Sequence, residues 1–150
     1  RVDGLGSPES PYKLIGAKQV GKGALAGMRL LRALRQRRSD VAVWPFEPID
    51  GHSVLVEIYP RLFLMRIGWG LRKVRTWDDL NGCLTLLGSD RVDASAAAPT
   101  EHDTDALVSA AGLRRLSQDS RAWSPAGMDE RALSQEGWIF GVGAFRRPPH

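Results

Sequence analysis

The sequence predicts an α/β protein, a layered sheet with flanking helices. Three observations lead there. Two short runs of β-forming apolar residues, Val41-Ala42-Val43-Trp44 and Val54 to Tyr59, are each closed by a proline. Both are almost continuously apolar, which is the pattern of parallel neighbours covered on both faces. Segments of helical periodicity lie before and after them in the chain.

Residues 1–23 hold Gly4, Gly6, Pro8, Pro11, Gly16, Gly21 and Gly23, so an irregular lead-in is expected. From Ala24 to Arg38 the spacing is helical. Ala24, Gly27, Leu31 and Leu34 share one face, Met28 and Leu30 flank it, and Arg29, Arg32 and Gln36 point away. Glu47-Pro48-Ile49-Asp50-Gly51 reads as a turn between the strands. Residues 61–76 fit a short helix or an edge element equally well. Trp77 to Leu87 reads as a helix, with Thr76 as N-cap, Asp78 and Asp79 in the first turn and Gly88 beyond the end. Ser89 to Thr100 reads as a mobile connection. Glu101 to Leu116 is the clearest helix, capped by Thr100 and ending in Arg114 and Arg115. Residues 117–135 look irregular, Gly137 to Val142 reads as a last short strand, and Phe145 to His150 as a basic tail.

Composition narrows the function classes. One chain of 150 residues is enough for a single domain with its own core. Cys83 is the only cysteine, and the histidines are His52, His102 and His150, which excludes a disulfide framework and disfavours a zinc site. Cys83 falls inside a helical pattern and is expected to be buried. No run approaches the ~18 apolar residues of a membrane span, and the lone cysteine fits a reducing compartment, so a cytoplasmic location is expected. The first residue is Arg1, and a missing upstream segment is therefore expected. The net charge of +4 and a pI near 9.7 favour polyanionic partners, nucleic acid first among them.

Two carboxylate sites carry the candidate chemistry. Glu57 lies towards the C-terminal end of its apolar strand, the region where ligand sites collect in parallel sheets. A carboxylate in such a run costs free energy unless it is paired, hydrogen-bonded or bound to a cation. Period-two alternation places Leu55, Glu57 and Tyr59 on one face. An ion pair with Arg61 is the plain alternative. On the 101–116 helix, Asp105 follows His102 by one turn and Ser109 follows Asp105. These three are expected to border a face of Ala106, Ala110, Leu113 and Leu116. Capping and the helix dipole account well for Glu101 and Asp103 and less well for Asp105, which lies deeper in the helix and is followed directly by Ala106-Leu107. Hard oxygen ligands suit magnesium or manganese, held by Glu57 and Asp105 with His102 as a helper, in metal-assisted phosphodiester cleavage.

Gly16 to Gly27 runs into a helix start without the Gly-Lys-Ser/Thr ending of a P-loop. Lys18 and Lys22 there, with Arg61, are candidate phosphate-backbone contacts. Trp44, Trp77, Trp123 and Trp138 are expected to pack in the core. Trp69, between Gly68 and Gly70, is the tryptophan expected to be exposed.

Several segments in this order resemble the family catalogued as domain of unknown function 429. They are Ser10-Pro11-Tyr12, Gly21 to Met28, Val43-Trp44-Pro45-Phe46, Val56-Glu57-Ile58-Tyr59-Pro60-Arg61-Leu62, His102 to Ala110, and Glu136 to Val142. The resemblance covers nearly the whole chain. It implies a ribonuclease H-like fold and predicted nuclease activity, with Glu57 and Asp105 at the second and last acidic positions. It also implies an opening β-hairpin bearing the first catalytic Asp, which nothing in these 150 residues matches. The chain then reads as the C-terminal part of a longer ribonuclease H-like domain that lacks the N-terminal strands, completed by a missing N-terminal segment or by homo-oligomer formation. Three readings of function remain open: a magnesium- or manganese-dependent nuclease or its remnant, a non-catalytic basic α/β module that binds nucleic acid or a protein partner, and a small structural domain with no ligand.

Overall fold

A computed structural model describes residue 15 and residues 21–51 and 53–144. It mixes helix and parallel strand, as the apolar runs predict, and divides into two compact units, Arg1–Val56 and Glu57–His150. No helix among the described residues is long and apolar enough to cross a membrane.

The first unit contains helix α1 (Gly21–Arg37) and strands β1 (Val41–Val43) and β2 (Ser53–Leu55). The helix starts at Gly21 rather than Ala24. Gly21 is buried at that start, where the ~1 kcal/mol by which glycine disfavours a helix interior does not apply in full. Ala24, Gly27, Leu31 and Leu34 form a half-buried stripe, as their spacing predicts, while Leu25, Met28 and Leu30 stay exposed. The strands pair in parallel, Val41 with Ser53, Ala42 with Val54 and Val43 with Leu55. Parallel strands usually need a crossover of about a dozen residues or more. Here residues 44–52 suffice, turning at once after β1, and Trp44 still donates its N–H to the Leu55 carbonyl at 3.0 Å.

Glu47 fastens this turn. One carboxylate oxygen accepts the Val43 N–H at 2.8 Å and the other pairs with Arg35 of α1. A single side chain thus joins helix, strand and turn.

The expected strand from Val54 to Tyr59 is shorter than its composition implies. It leaves the ladder after Leu55, and the boundary between the units falls between Val56 and Glu57. The partner runs out: β1 turns after Val43, whose carbonyl accepts the Phe46 and Glu47 N–H groups, so Trp44 N–H to Leu55 is the last bond of the ladder. Pro60, which has no N–H to donate, then starts helix α2 (Pro60–Arg66). The ambiguous stretch after it is therefore helical at its beginning.

The second unit adds α3 (Trp77–Leu86), α4 (Glu101–Leu116), the single turn α5 (Ser120–Trp123) and a π-helical turn, Ala132–Glu136. The predicted caps are present. Thr76 Oγ1 accepts the Asp79 N–H at 3.1 Å. Thr100 and Asp103 form a reciprocal capping box at the start of α4. Such caps stabilise by about 1 kcal/mol each.

The core of this unit holds Leu62, Phe63 and Leu64 of α2, Leu80, Cys83 and Leu84 of α3, Val108, Ala111 and Leu116 of α4, and Phe140. Burial pushes the Cys83 thiol up to about 11. Trp123 meets Phe140 edge to face, with ring centroids 4.6 Å apart.

Helices α3 and α4 run in the same direction. Lys73, just before α3, pairs with Glu101 at the head of α4, while Arg115 donates to the Leu86 carbonyl and Arg114 to the Gly88 carbonyl at the tails. The connection between them must return along α3. It is tied there, contrary to the mobile connection expected of its Ala/Ser-rich composition. Asn81 both donates to and accepts from Val92, the Trp77 indole N–H reaches the Ala97 carbonyl, and Arg91 faces Asp78.

Two further expectations fail for local reasons. The segment from Gly137 to Val142 is not a strand. Only Ile139 makes a single parallel bridge, to Glu57, because Gly137 and Gly141 adopt positive φ on either side of it. Trp69 is half-buried rather than exposed, with the Arg72 guanidinium 4.0 Å above its ring.

Candidate functional site

Glu57 and Asp105 both belong to the second unit, and both side chains are exposed. For Glu57 this corrects the expectation of a carboxylate inside a buried run. The chain has already left the ladder there, so only its backbone is held: Ile139 bridges it and the Glu57 carbonyl accepts the Phe140 N–H at 2.8 Å. Arg61 does not take it as a partner. Arg61 is half-buried and donates one guanidinium N–H to the Arg72 carbonyl at 2.9 Å.

The face of α4 is also corrected. The helix buries Thr104, Val108, Ser109, Ala111, Gly112 and Leu116, and it leaves Ala106 and Ala110 in water. The buried stripe is rotated about one residue from the expected one, roughly 100° on an ideal helix. Its partners are α2 and α3, where Gly112 gives room to Phe63, so the alanines are not needed for close approach. Asp105 and His102 therefore stand on the outer side, not at a sheet-facing margin.

The acids at the head of α4 fall into two groups. Glu101 pairs with Lys73 at 2.5 Å, which holds its carboxyl below the usual range. Asp103 accepts from the Thr100 N–H and hydroxyl at 2.8 Å each, and these bonds lower it likewise. Asp105 makes no hydrogen bond or ion pair among the described residues, and the same is true of Glu57. His102 is exposed one turn before Asp105.

Exposed, uncommitted carboxylates are chemically suited to a hydrated magnesium or manganese ion, which keeps most of its waters and takes one or two protein oxygens. Among the described residues no group of three or more His, Cys, Asp or Glu side chains is placed to hold a metal ion. Lys22 is exposed in the first turn of α1, in the other unit, and Lys18 lies outside the described residues.

Sequence reading missed Glu47, whose two-sided role was hidden inside a turn. It also missed the open groove of about 740 Å³ between α1 and β1. The signal for the groove was present: α1 carries Lys22, Arg29, Arg32, Arg35 and Arg37 and no acidic residue. Comparison of the chain with family models, with curated proteins and with solved structures finds no match.

Proposed function

We propose that this chain is part of a ribonuclease H-like, metal-dependent nuclease and contributes Glu57 and Asp105 as two of its metal-binding acids. Exposure without a partner among the described residues is shared with Asp50, Asp90, Asp93 and Glu130, so it is the resemblance around Glu57 and Asp105 that singles out the pair and carries the reading. The division among the acids at the head of α4 agrees with it. Capping and ion pairing account for Glu101 and Asp103, whereas Glu57 and Asp105 are exposed and committed to neither. The resemblance of the segments around Glu57 and Asp105 to the family catalogued as domain of unknown function 429 supports the same pair.

In this reading both carboxylates would hold magnesium or manganese, and His102, one turn before Asp105, would hydrogen-bond an ion-bound water or a phosphate oxygen. The bound ion supplies an activated water and charge stabilisation of the leaving oxygen. Nucleic acid is the substrate class, and the basic balance of the chain favours its approach.

The test is cleavage of single- and double-stranded DNA and RNA by the full-length protein with magnesium or manganese. Glu57→Gln and Asp105→Asn should each remove cleavage and weaken the manganese binding seen by electron paramagnetic resonance, without changing the melting temperature. Cleavage by both variants at the parent rate would overturn the assignment.

A further inference from the structure

The first unit carries a feature that no nuclease chemistry uses. The groove between α1, β1 and the following turn has an apolar floor of Met28, Leu31, Val41, Val43 and Phe46. Met28 is 64% exposed and Phe46 44% exposed, so two of the large apolar side chains lining this groove lie open to water. Pockets of several hundred Å³ with apolar walls and a few placed charges are typical binding sites.

The rim is cationic. Arg32, Arg35 and Arg38 line it. Arg35 is engaged by Glu47 and Arg38 by Asp40 at 2.6 Å, while Arg32 has no ion pair among the described residues. On the helical wheel Arg32, Arg29 and Lys22 follow one another around the exposed side of α1, adjoining Met28. The outer edge of β1 is closed at Val43 by the Glu47 carboxylate. The Val43 carbonyl is likewise taken by the Phe46 and Glu47 N–H groups, so an added strand would find no free main-chain partner at Val43, and side-chain anchoring in the groove is favoured.

We propose that this groove docks an acidic amphipathic helix of a partner protein, with apolar side chains entering between Met28 and Phe46 and carboxylates meeting Arg32 and Arg29. Charge complementarity and the apolar floor together select this occupant. A phosphate backbone would satisfy the arginines but leave Met28 and Phe46 in water. A helix laid in a groove presents anchors at i, i+3 and i+7 with charges beside them. This inference is independent of the nuclease reading, because every residue in it lies in the first unit.

The experiment uses the full chain labelled with ¹³C at its methionine methyls, with Met65 and Met128 as internal controls. The probe is an acetylated helical peptide with leucine at i, i+3 and i+7 and glutamate on both flanks. Its counterparts are a scrambled peptide, a lysine version, and a single-stranded oligonucleotide. The acidic peptide should bind in fluorescence anisotropy and shift the Met28 methyl resonance while leaving Met65 and Met128 unmoved. Arg32→Glu and Phe46→Ser should each weaken it by about tenfold or more, the size of a modest interface hot spot. Added salt should weaken binding further. Absence of binding, equal binding of the scrambled peptide, an unmoved Met28 methyl, or displacement by the oligonucleotide at equal concentration would each overturn the proposal.

Discussion

The Phe63 ring occupies the place where a side chain at residue 112 would begin. A Cβ built on Gly112 would lie within 2.8 Å of three Phe63 ring carbons. Helices α2 and α4 therefore approach through glycine, and Phe63, fully buried, fills the contact. Gly112→Ala should destabilise the protein by roughly 1–3 kcal/mol, since a packed core resists added volume. Urea unfolding measures this. Phe63→Leu in the same background should recover part of the loss, giving a non-additive double-mutant cycle.

Glu47 predicts an asymmetric pair of effects. Glu47→Ala leaves the Val43 N–H without its acceptor and should cost about 1–3 kcal/mol. Arg35→Ala removes only a largely exposed partner and should cost under about 1 kcal/mol. Hydrogen exchange at the Val43 amide should accelerate strongly in the first variant and little in the second.

The head of α4 separates a structural acid from the candidate functional one. Thr100→Val breaks the capping box and should cost about 1 kcal/mol. Asp105→Asn touches no partner among the described residues and should change stability by less than about 0.5 kcal/mol. Thermal unfolding of the two variants tests the contrast, and it keeps loss of nuclease activity in Asp105→Asn distinct from loss of fold.

Asp119 gives a pH signature. Hydrogen bonds from the Arg121 side chain and backbone hold its carboxyl down at about 2, against an ordinary 3.8. The folded value is the lower one, so this contribution to stability is complete above the ordinary value. It is lost as the pH falls towards 2. Asp119→Asn should flatten that part of the stability curve between about pH 4 and 2. A carboxyl ¹³C titration of Asp119 should locate the midpoint near 2.

Cys83 should be inert in the folded protein. Its thiol is buried and raised to about 11, so little thiolate exists at neutral pH. A chromogenic disulfide reagent should react at the rate of unfolding, and denaturant should accelerate the reaction.

Local chemistry was the legible part of this chain. Thr76, Thr100 and Asp103 announce helix starts because a cap is made by residues three apart, and the structure has those bonds. The parallel pairing of β1 with β2 was legible because apolar runs report burial. Partner choice was not legible. The stripe that α4 buries depends on Phe63 reaching Gly112, a contact between residues far apart in sequence. The Ala/Ser-rich return segment looked loose because its anchors, Asn81 and Trp77, lie in the preceding helix. Glu57 looked buried because its neighbours are apolar, and nothing local revealed that the ladder ends two residues earlier at Leu55. The candidate acids were nameable from sequence, but their exposure on the outside of the unit was not.

The common direction of α3 and α4 has an electrostatic consequence. Aligned helices set like poles of their macrodipoles side by side, an unfavourable arrangement that antiparallel neighbours avoid. The side chains are distributed against it. Asp78, Asp79, Glu101 and Asp103 occupy the amide poles, and Arg114 and Arg115 occupy the carbonyl poles. Arg66 joins the second group, and its guanidinium is lowered to about 10 by burial and by the neighbouring Arg115. The formal charges thus run opposite to the backbone polarity, and the two fields offset one another along the shared axis. Neutralising the two α4 arginines would leave the carbonyl poles of the helix pair without their compensating charge, at about 0.3–1 kcal/mol each.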